Sequence, residues 1–236
     1  MSFEYEVVRA RRALIKNGLV LAGTLAVPGA VAAATEKLTS RALKPLVPPP
    51  APAPKLAAAF DRPATSPRVV RPDLFRRAMA ALDRHGRQVK RDRMAIVDFA
   101  ARSAEPRFHF VDLASGRSTS LRVCHGSGSD PSHTGWLQRF SNDPGSNASS
   151  EGAFLTADYY YGKHGKSQRL IGLDRTNDNA LDRAIVIHGA WYANPDMLRT
   201  HGMLGRSQGC FAVAEDELEQ VFDRLGPGRM IYAAKV

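Results

Sequence analysis

The chain has 236 residues, 44% of them hydrophobic, which is enough for one sizeable domain with or without a tail. Its formal net charge of +10 at pH 7 suits an anionic partner such as nucleic acid, a membrane surface or an acidic cell-wall polymer. The basic residues are scattered, and the sequence contains no helix-turn-helix, zinc-finger or RNA-binding signature. We therefore expect no nucleic acid partner.

Residues 1–34 have the three parts of an export signal: a basic start, an apolar stretch and small residues where a peptidase cuts. Arg11 and Arg12 precede the apolar stretch, as in a twin-arginine signal. An uncleaved membrane anchor is the alternative, because apolar and small residues continue from Gly18 to Ala34. We expect an exported, periplasmic protein that contacts the membrane only through this segment, and only if the segment stays uncleaved.

Residues 35–72 are predicted to be a linker, because nine of the fifteen prolines lie between Pro45 and Pro72. The stretch "PLVPPPAPAPK" favours extended polyproline II structure over a compact unit. The segment is either a spacer that sets the reach of the folded domain or a plain disordered linker.

Residues 73–236 are predicted to form the folded, catalytic domain. Asp73 and Gly86 are placed to start and end a first helix with one apolar face, Leu74, Ala78, Ala81 and Leu82. A second helix is predicted at 214–226. Short apolar or alternating runs predict strands at 95–100, 107–113, 118–123, 152–161, 167–173, 183–190 and 229–236. The fold class is therefore mainly β with flanking helices, not an alternating βαβ sheet.

The two cysteines raise the main functional question. Exported proteins often pair cysteines, so a disulfide between Cys124 and Cys210 in a non-catalytic wall-binding protein is one hypothesis. Each cysteine instead lies at the probable end of a strand and close to glycine, in "VCHGSGSD" and "SQGCFAV", where functional groups are often exposed. A nucleophilic thiol must become a thiolate, which requires a positive environment or a nearby imidazole. His188, at the end of the apolar run "AIVIHG", is the best candidate base, and we expect it to keep the Cys210 sulfur ionised.

Glycines flank both candidate residues. Gly189 and Gly209 would let a substrate backbone approach closely, or they merely form turns. Backbone N–H groups of Gln208, Gly209 and Cys210 are candidate donors for an oxyanion hole.

A zinc site is a weaker hypothesis. The histidines are spread without the spacing of a recognisable zinc motif, and the ligands we would suspect are His125, Asp130, His133 and His188. We predict no metal and no organic cofactor.

Several stretches together resemble one family: "VCHGSGSD" (123–130), "RFSNDPGSNASSEGAF" (139–154), "YYGKHGKSQRLIGLDRTNDNALDRAIVIHGA" (160–190) and "GRSQGC" (205–210). Over about Met94 to Val236 the chain resembles the murein L,D-transpeptidases, the YkuD-like cysteine enzymes that cross-link peptidoglycan. The resemblance implies a mixed-sheet or β-sandwich catalytic domain.

The resemblance also implies roles for individual residues. Cys210 matches the nucleophile and His188 the base, with Gly189, Ser207, Gln208 and Gly209 in oxyanion or supporting roles. Substrate-binding candidates are Arg206, His125 and Tyr161, with Arg199 as a further basic residue. Gln208 stands where the commonest form of the motif has histidine, and Phe211 replaces a proline.

The implied substrates are peptidoglycan stem peptides, with a tetrapeptide as acyl donor and a stem-peptide amine as acceptor. The products would be 3→3 cross-links. Hydrolysis, or attachment of another amine at the same site, remains open.

Overall fold

The computed structural model describes residues 69–236. The predicted signal segment and most of the predicted linker lie outside the described residues. In the described part of the chain, no helix is long and apolar enough to cross a membrane.

Eight strands and three α-helices make up this part of the chain. The helices are α1 (Pro72–Arg84), α2 (Pro195–His201) and α3 (Leu218–Leu225). The strands are β1 (Arg93–Asp98), β2 (Phe108–Asp112), β3 (Ser118–Leu121), β4 (Gly152–Gly162), β5 (Gly165–Gly172), β6 (Val186–Gly189), β7 (Phe211–Val213) and β8 (Met230–Ala234). Both predicted helices and all seven predicted strands are present, with bounds shifted by a few residues. Helix α2 and strand β7 were not predicted.

All strands belong to one mixed sheet in the order β3-β2-β1-β8-β4-β5-β6-β7. The β1–β8 and β6–β7 pairs are parallel, and the other pairs are antiparallel. The mainly β fold with flanking helices is therefore confirmed. Strand β7 ends the sheet, next to β6, and this edge carries the two sequence motifs that end in His188 and Cys210.

Alternation along β1 explains how the helices attach. Ala95 and Val97 belong to one apolar cluster with α3, whereas Met94 and Ile96 belong to another with α1. Successive strand residues point to opposite faces, so the sheet separates the two clusters. The predicted apolar face of α1 is confirmed, since all four of its residues are buried. The apolar residues expected to face the core from the second helix, Leu218, Val221, Phe222 and Leu225, are also buried.

The start of α1 differs from the prediction. Asp73 was expected to cap the helix, but the helix begins at Pro72 and no side chain caps it. Proline is favoured there because the first turn of a helix leaves its N–H groups without partners. Asp73 lies in the first turn and accepts a hydrogen bond from Arg76 instead.

Candidate active site

A cavity of about 600 Å³ at the β6–β7 edge brings Cys210 and His188 together. Three further candidates from the sequence line it: Arg206, Ser207 and Gln208. The remaining lining residues are Pro144, Gly145, Asn147, Tyr160, Lys163, His164, Asp182, Arg183, Ala184, Val186 and Tyr192.

The parallel pairing of β6 with β7 brings the two candidate residues to one edge of the sheet. His188 is opposite Ala212, and Cys210 immediately precedes β7. Both side chains line the cavity at this edge. The sequence separation of 22 residues is closed by this ladder.

The Cys210 thiol is half-buried and donates to the carbonyl oxygen of Ala184, with 3.6 Å between sulfur and oxygen. Burial raises the pKa of the thiol, while the amide of Val186 and the positive charges of Arg183 and Lys163 lower it. The net direction is upward, so the resting cysteine is a neutral thiol. The expectation that the imidazole keeps the sulfur ionised is therefore not met in the free protein.

The His188 ring has one defined hydrogen bond, between Nδ1 and the carbonyl oxygen of Gly189 at 2.9 Å. A carbonyl only accepts, so Nδ1 carries the proton and Nε2 keeps its lone pair. Burial lowers the pKa of His188, and the neighbouring His164 and Lys163 lower it further. The imidazole is therefore neutral at neutral pH, with Nε2 able to accept a proton.

The tip of the β4–β5 hairpin covers this ring. His164 stacks on His188 with ring centroids 4.3 Å apart and an interplanar angle of 22°. Lys163 and Tyr160, from the same hairpin, line the cavity. No role was predicted for these three residues from the sequence. The two predicted strands on either side of "GKHG" did indicate a hairpin.

The turn before Cys210 is held by Ser207. Its hydroxyl donates to the carbonyl oxygen of Cys210 at 2.7 Å and accepts from the amide of Gly209 at 3.1 Å. Gly209 has φ +111°, and an added Cβ would lie 2.7 Å from the carbonyl oxygen of Ala148. Glycine is therefore required here by backbone conformation and packing. Since the Gly209 N–H is already bonded, the oxyanion donors that remain are the N–H groups of Gln208 and Cys210.

Gly189 also serves packing. An added Cβ would lie 3.3 Å from the Cα of Glu215, and Gly189 does not line the cavity. The expectation that this glycine opens space for a substrate backbone is wrong for this structure.

A second segment braces the turn before Cys210. Ser207 forms an isolated parallel β-bridge with Gly126. In this bridge the amide of Ser127 donates to the carbonyl oxygen of Ser207, and the amide of Ser207 donates to the carbonyl oxygen of His125. Arg206 donates to the carbonyl oxygens of Asp130 and Pro131. The motif "VCHGSGSD" thus supports the motif "GRSQGC" through the backbone.

His125 lies in a buried network outside the cavity, so the structure does not place it as a substrate-binding residue. Its Nδ1 accepts from Arg107 at 2.9 Å, and its Nε2 is 3.3 Å from a carboxylate oxygen of Asp130. The Arg107 side chain is fully buried and also donates to the carbonyl oxygens of Val123 and Ala101. Neutral His125 links a buried cation to a buried anion, and these bonds fix the bracing segment.

We expect His125 to make the protein less stable at mildly acidic pH. Burial, and next the charge of Arg107, lower the pKa of His125 to about 4, against ~6.5 for an unfolded histidine. Between these two pKa values the unfolded chain binds more protons than the folded chain, so the free energy of unfolding decreases as the pH falls. The full stabilising contribution of neutral His125 is therefore present only above ~6.5. The two pKa values correspond to about 3 kcal/mol of unfolding free energy.

Urea unfolding of the native chain and of His125→Gln, at about pH 7 and about pH 4.5, measures this effect. Glutamine stays neutral while it can accept from Arg107 and donate to Asp130. The native chain should lose about 2 kcal/mol more than the variant over this interval. Equal losses in the two proteins would contradict the assignment.

Two other substrate-binding candidates lie away from the cavity lining. The Tyr161 side chain is 81% exposed and follows Tyr160, which does line the cavity, on the opposite face of β4. Arg199 lies on α2 and pairs with Asp196.

The alternatives from the sequence find no support in the described residues. Both cysteines are free, and Cys124 is fully buried in a small apolar cluster. Within residues 69–236, no group of three or more potential ligands could hold a metal ion. His125 and Asp130, two of the suspected zinc ligands, belong instead to the network with Arg107.

Comparisons with solved structures find L,D-transpeptidases and a cell shape determining protein. An L,D-transpeptidase from Mycobacterium smegmatis is 13% identical, with a TM-score of 0.36 over 61% of this chain and 58% of its own. L,D-transpeptidase 3 from Mycobacterium tuberculosis, in complex with a faropenem-derived adduct, is 9% identical, with a TM-score of 0.38 over 61% and 60%. The helical cell shape determining protein of Campylobacter jejuni is 13% identical, with a TM-score of 0.39 over 66% and 53%.

This chain spans between 53% and 60% of the length of these three structures. No curated protein matches it. The family model described as the L,D-transpeptidase catalytic domain matches residues 67–234, which is most of the chain and includes α1, ahead of the region in which the sequence motifs lie. The chain therefore belongs to the L,D-transpeptidase catalytic domain family.

Proposed function

We propose that this protein is an exported peptidoglycan L,D-transpeptidase that forms 3→3 cross-links through a thioester on Cys210. The observation that carries the proposal is the shared cavity, in which a neutral thiol and an imidazole with a free Nε2 project from one sheet edge. Family membership supports the reaction class.

The first half-reaction begins with proton transfer from the Cys210 thiol to Nε2 of His188. The sulfur attacks the carbonyl carbon that joins the L-centre of diaminopimelate to the terminal D-alanine of a donor tetrapeptide. The carbon–nitrogen bond breaks, His188 returns the proton to the leaving amine, and D-alanine departs. A thioester between Cys210 and the donor tripeptide remains.

The second half-reaction reverses these roles. The side-chain amine of a neighbouring stem attacks the thioester carbonyl, and Nε2 of His188 takes the proton from that amine. The carbon–sulfur bond breaks, the new amide is the cross-link, and the thiol regains its proton from the imidazole. In both steps the amides of Gln208 and Cys210 donate hydrogen bonds to the oxyanion in this mechanism.

A neutral resting pair fits this sequence of steps. Burial raises the pKa of the Cys210 thiol and lowers that of His188, so charge forms only when a substrate carbonyl is present to receive the sulfur. A general base is most effective with a pKa near the working pH. Lys163, Arg183 and Arg206 line the same cavity, which gives it a positive character suited to the carboxylates of stem peptides.

The proposed location is the periplasm, with residues 1–34 as a twin-arginine-like signal and 35–72 as a spacer. Mass analysis of the N-terminus of the exported protein would identify the cleavage site.

Product analysis with a purified disaccharide-tetrapeptide tests the reaction. We expect a cross-linked dimer that has lost one D-alanine, at a rate at least about tenfold above that of the Cys210→Ala variant, since that variant lacks the nucleophile. Release of D-alanine with only tripeptide product would replace the transferase by an L,D-carboxypeptidase. Unchanged tetrapeptide, in the presence of a folded protein, would contradict both.

A further inference from the structure

Arg183 lies in the turn before β6 and is bonded only to neutral acceptors. Its Nη1 donates to the carbonyl oxygen of Ser141 at 2.8 Å and to the hydroxyl of Ser150 at 2.6 Å. Its Nη2 donates to the carbonyl oxygen of Ala148 at 2.5 Å. Among residues 69–236 no carboxylate forms an ion pair with this guanidinium, so its charge is not neutralised by direct contact.

The guanidinium packs beside the nucleophile turn. A Cβ added to Gly209 would lie 3.2 Å from Nη2 of Arg183 and 2.7 Å from the carbonyl oxygen of Ala148, to which that nitrogen is bonded. Gly209 immediately precedes Cys210, and both Arg183 and Cys210 line the cavity. The cation is therefore held under the turn that carries the sulfur.

The residues that follow Arg183 contact the sulfur itself. The carbonyl oxygen of Ala184 accepts from the thiol, and the amide of Val186 is directed toward it. Ala184 has φ +54°, an uncommon conformation for a residue with a side chain. Hydrogen bonds from Arg183, Ala184 and Ile185 amides to residues 179–181 close the turn that imposes it. One short segment thus supplies a charge, a hydrogen-bond acceptor and a donor to Cys210.

We propose that Arg183 is a positioning residue of the reaction, whose fixed positive charge stabilises the Cys210 thiolate as it forms. The proposal rests on Cys210 being the nucleophile, as in the proposed function. Arg183 and Cys210 attract each other electrostatically, which supports the geometric argument. The fork of the guanidinium is suited to this task because it can bind several acceptors and still remain charged.

Other titratable or charged groups face the same sulfur or the same cavity, and a test must separate them from Arg183. They are Tyr160, Lys163 and His164 from the β4–β5 hairpin, Asp182 beside Arg183, His188 from β6, Tyr192 from the turn after β6, and Arg206. Asp143 also lies near enough to interact with Arg183.

Alkylation of Cys210 by iodoacetamide as a function of pH, followed by intact mass, measures thiolate formation without any peptide substrate. Arg183→Lys keeps the charge, and Arg183→Gln keeps a donor but removes the charge. For the glutamine variant we expect the midpoint of the alkylation profile to rise, with about a tenfold lower rate near pH 7.5. The lysine variant should stay within about threefold of the native chain.

The Cys210→Ala variant gives the background, because Cys124 is buried. Circular dichroism and urea unfolding establish that each variant is folded. Equal midpoints for the native chain and folded Arg183→Gln would overturn the proposal, and so would equal upward shifts in both Arg183 variants, since these indicate loss of structure rather than of charge.

Should the glutamine variant fail to fold, Lys163→Gln carries the test, because it removes the exposed second cation. Its alkylation midpoint should stay within about half a pH unit of the native value, because Arg183, the half-buried cation beside the turn, is still in place. A rise of about one pH unit or more would assign the stabilising charge to Lys163 and overturn the proposal. A chain that alkylates as expected but makes no product from a tetrapeptide would retain this inference and lose the transpeptidase function.

Discussion

Cys210→Ala should lose all covalent labelling by a carbapenem, whereas the native chain should gain the mass of one inhibitor molecule. The β-lactam carbonyl takes the place of the donor carbonyl, so attack by the sulfur opens the ring and leaves a stable acyl adduct. Cys210 is half-buried and lines the cavity of about 600 Å³, which gives the inhibitor access to the sulfur. Intact mass spectrometry of the folded proteins measures the result.

Cys124→Ala is the matched control, because it removes the other sulfur of the described residues. Burial raises the pKa of the Cys124 thiol to about 12, and the side chain lies in an apolar cluster with Leu204 and Ala212. A buried neutral thiol is a poor nucleophile. The control should therefore acylate like the native chain. Equal adducts on the native chain and Cys210→Ala would end the assignment of Cys210 as nucleophile.

The sequence was informative where a local pattern carries the structural signal. The first and last predicted helices and the seven strands follow from apolar periodicity, which needs only neighbouring residues. His188 and Cys210 followed from strand ends beside glycine and from resemblance to a family, and the structure places both on one cavity. Strand β7 has only three residues, Phe211–Val213, too few for a period to be recognised.

The supporting residues could not be assigned from the sequence because their roles come from long-range pairing. His164 reaches His188 only because β5 is paired with both β4 and β6, which brings the hairpin tip over the ring. Tyr161 was selected in place of Tyr160, and one residue along a strand reverses the face. In the sequence His125 follows Cys124, which suggests a reactive pair. Its hydrogen-bond partner in the structure is the buried Arg107, 18 positions earlier in the chain, and the sequence does not show this contact.

The protonation states also required the structure. A histidine close to a cysteine predicts an ionised sulfur, because an imidazolium attracts a thiolate. The sequence does not show how deeply the two side chains are buried. In the folded chain burial is the largest influence on both groups, and it disfavours the charged form of each. The pair is therefore neutral at rest, and the proposed mechanism includes proton transfer in the acylation step.

His188→Gln should slow carbapenem acylation by about 10² to 10⁴-fold, the usual contribution of a positioned general base. In the proposed mechanism Nε2 of His188 accepts the thiol proton, because Nδ1 is bonded to the carbonyl oxygen of Gly189. Glutamine preserves a polar side chain of similar reach but cannot take a proton at neutral pH. Stopped-flow or time-resolved mass measurements at about pH 7.5 give the rate.

The pH dependence separates the loss of a base from a disordered site. Without His188, thiolate can form only by direct ionisation of Cys210, whose pKa burial has raised, so the variant's rate should keep increasing above pH 9, about tenfold for each unit of pH. The native rate should instead level off once His188, whose pKa is lowered, has lost its proton. A variant whose rate is low and independent of pH would point to a disordered site.

His164→Ala is the matched control for His188→Gln, because it removes the neighbouring imidazole ring. It removes the imidazole that stacks on His188, yet leaves the hydrogen bond between His188 and Gly189 in place. Since the neighbouring His164 contributes to the lowered pKa of His188, the level part of the profile should begin at slightly higher pH, with the maximal rate within about tenfold of native. If His164→Ala lowers the acylation rate as much as His188→Gln does, the base would have to be assigned to the stacked pair of rings and not to His188 alone.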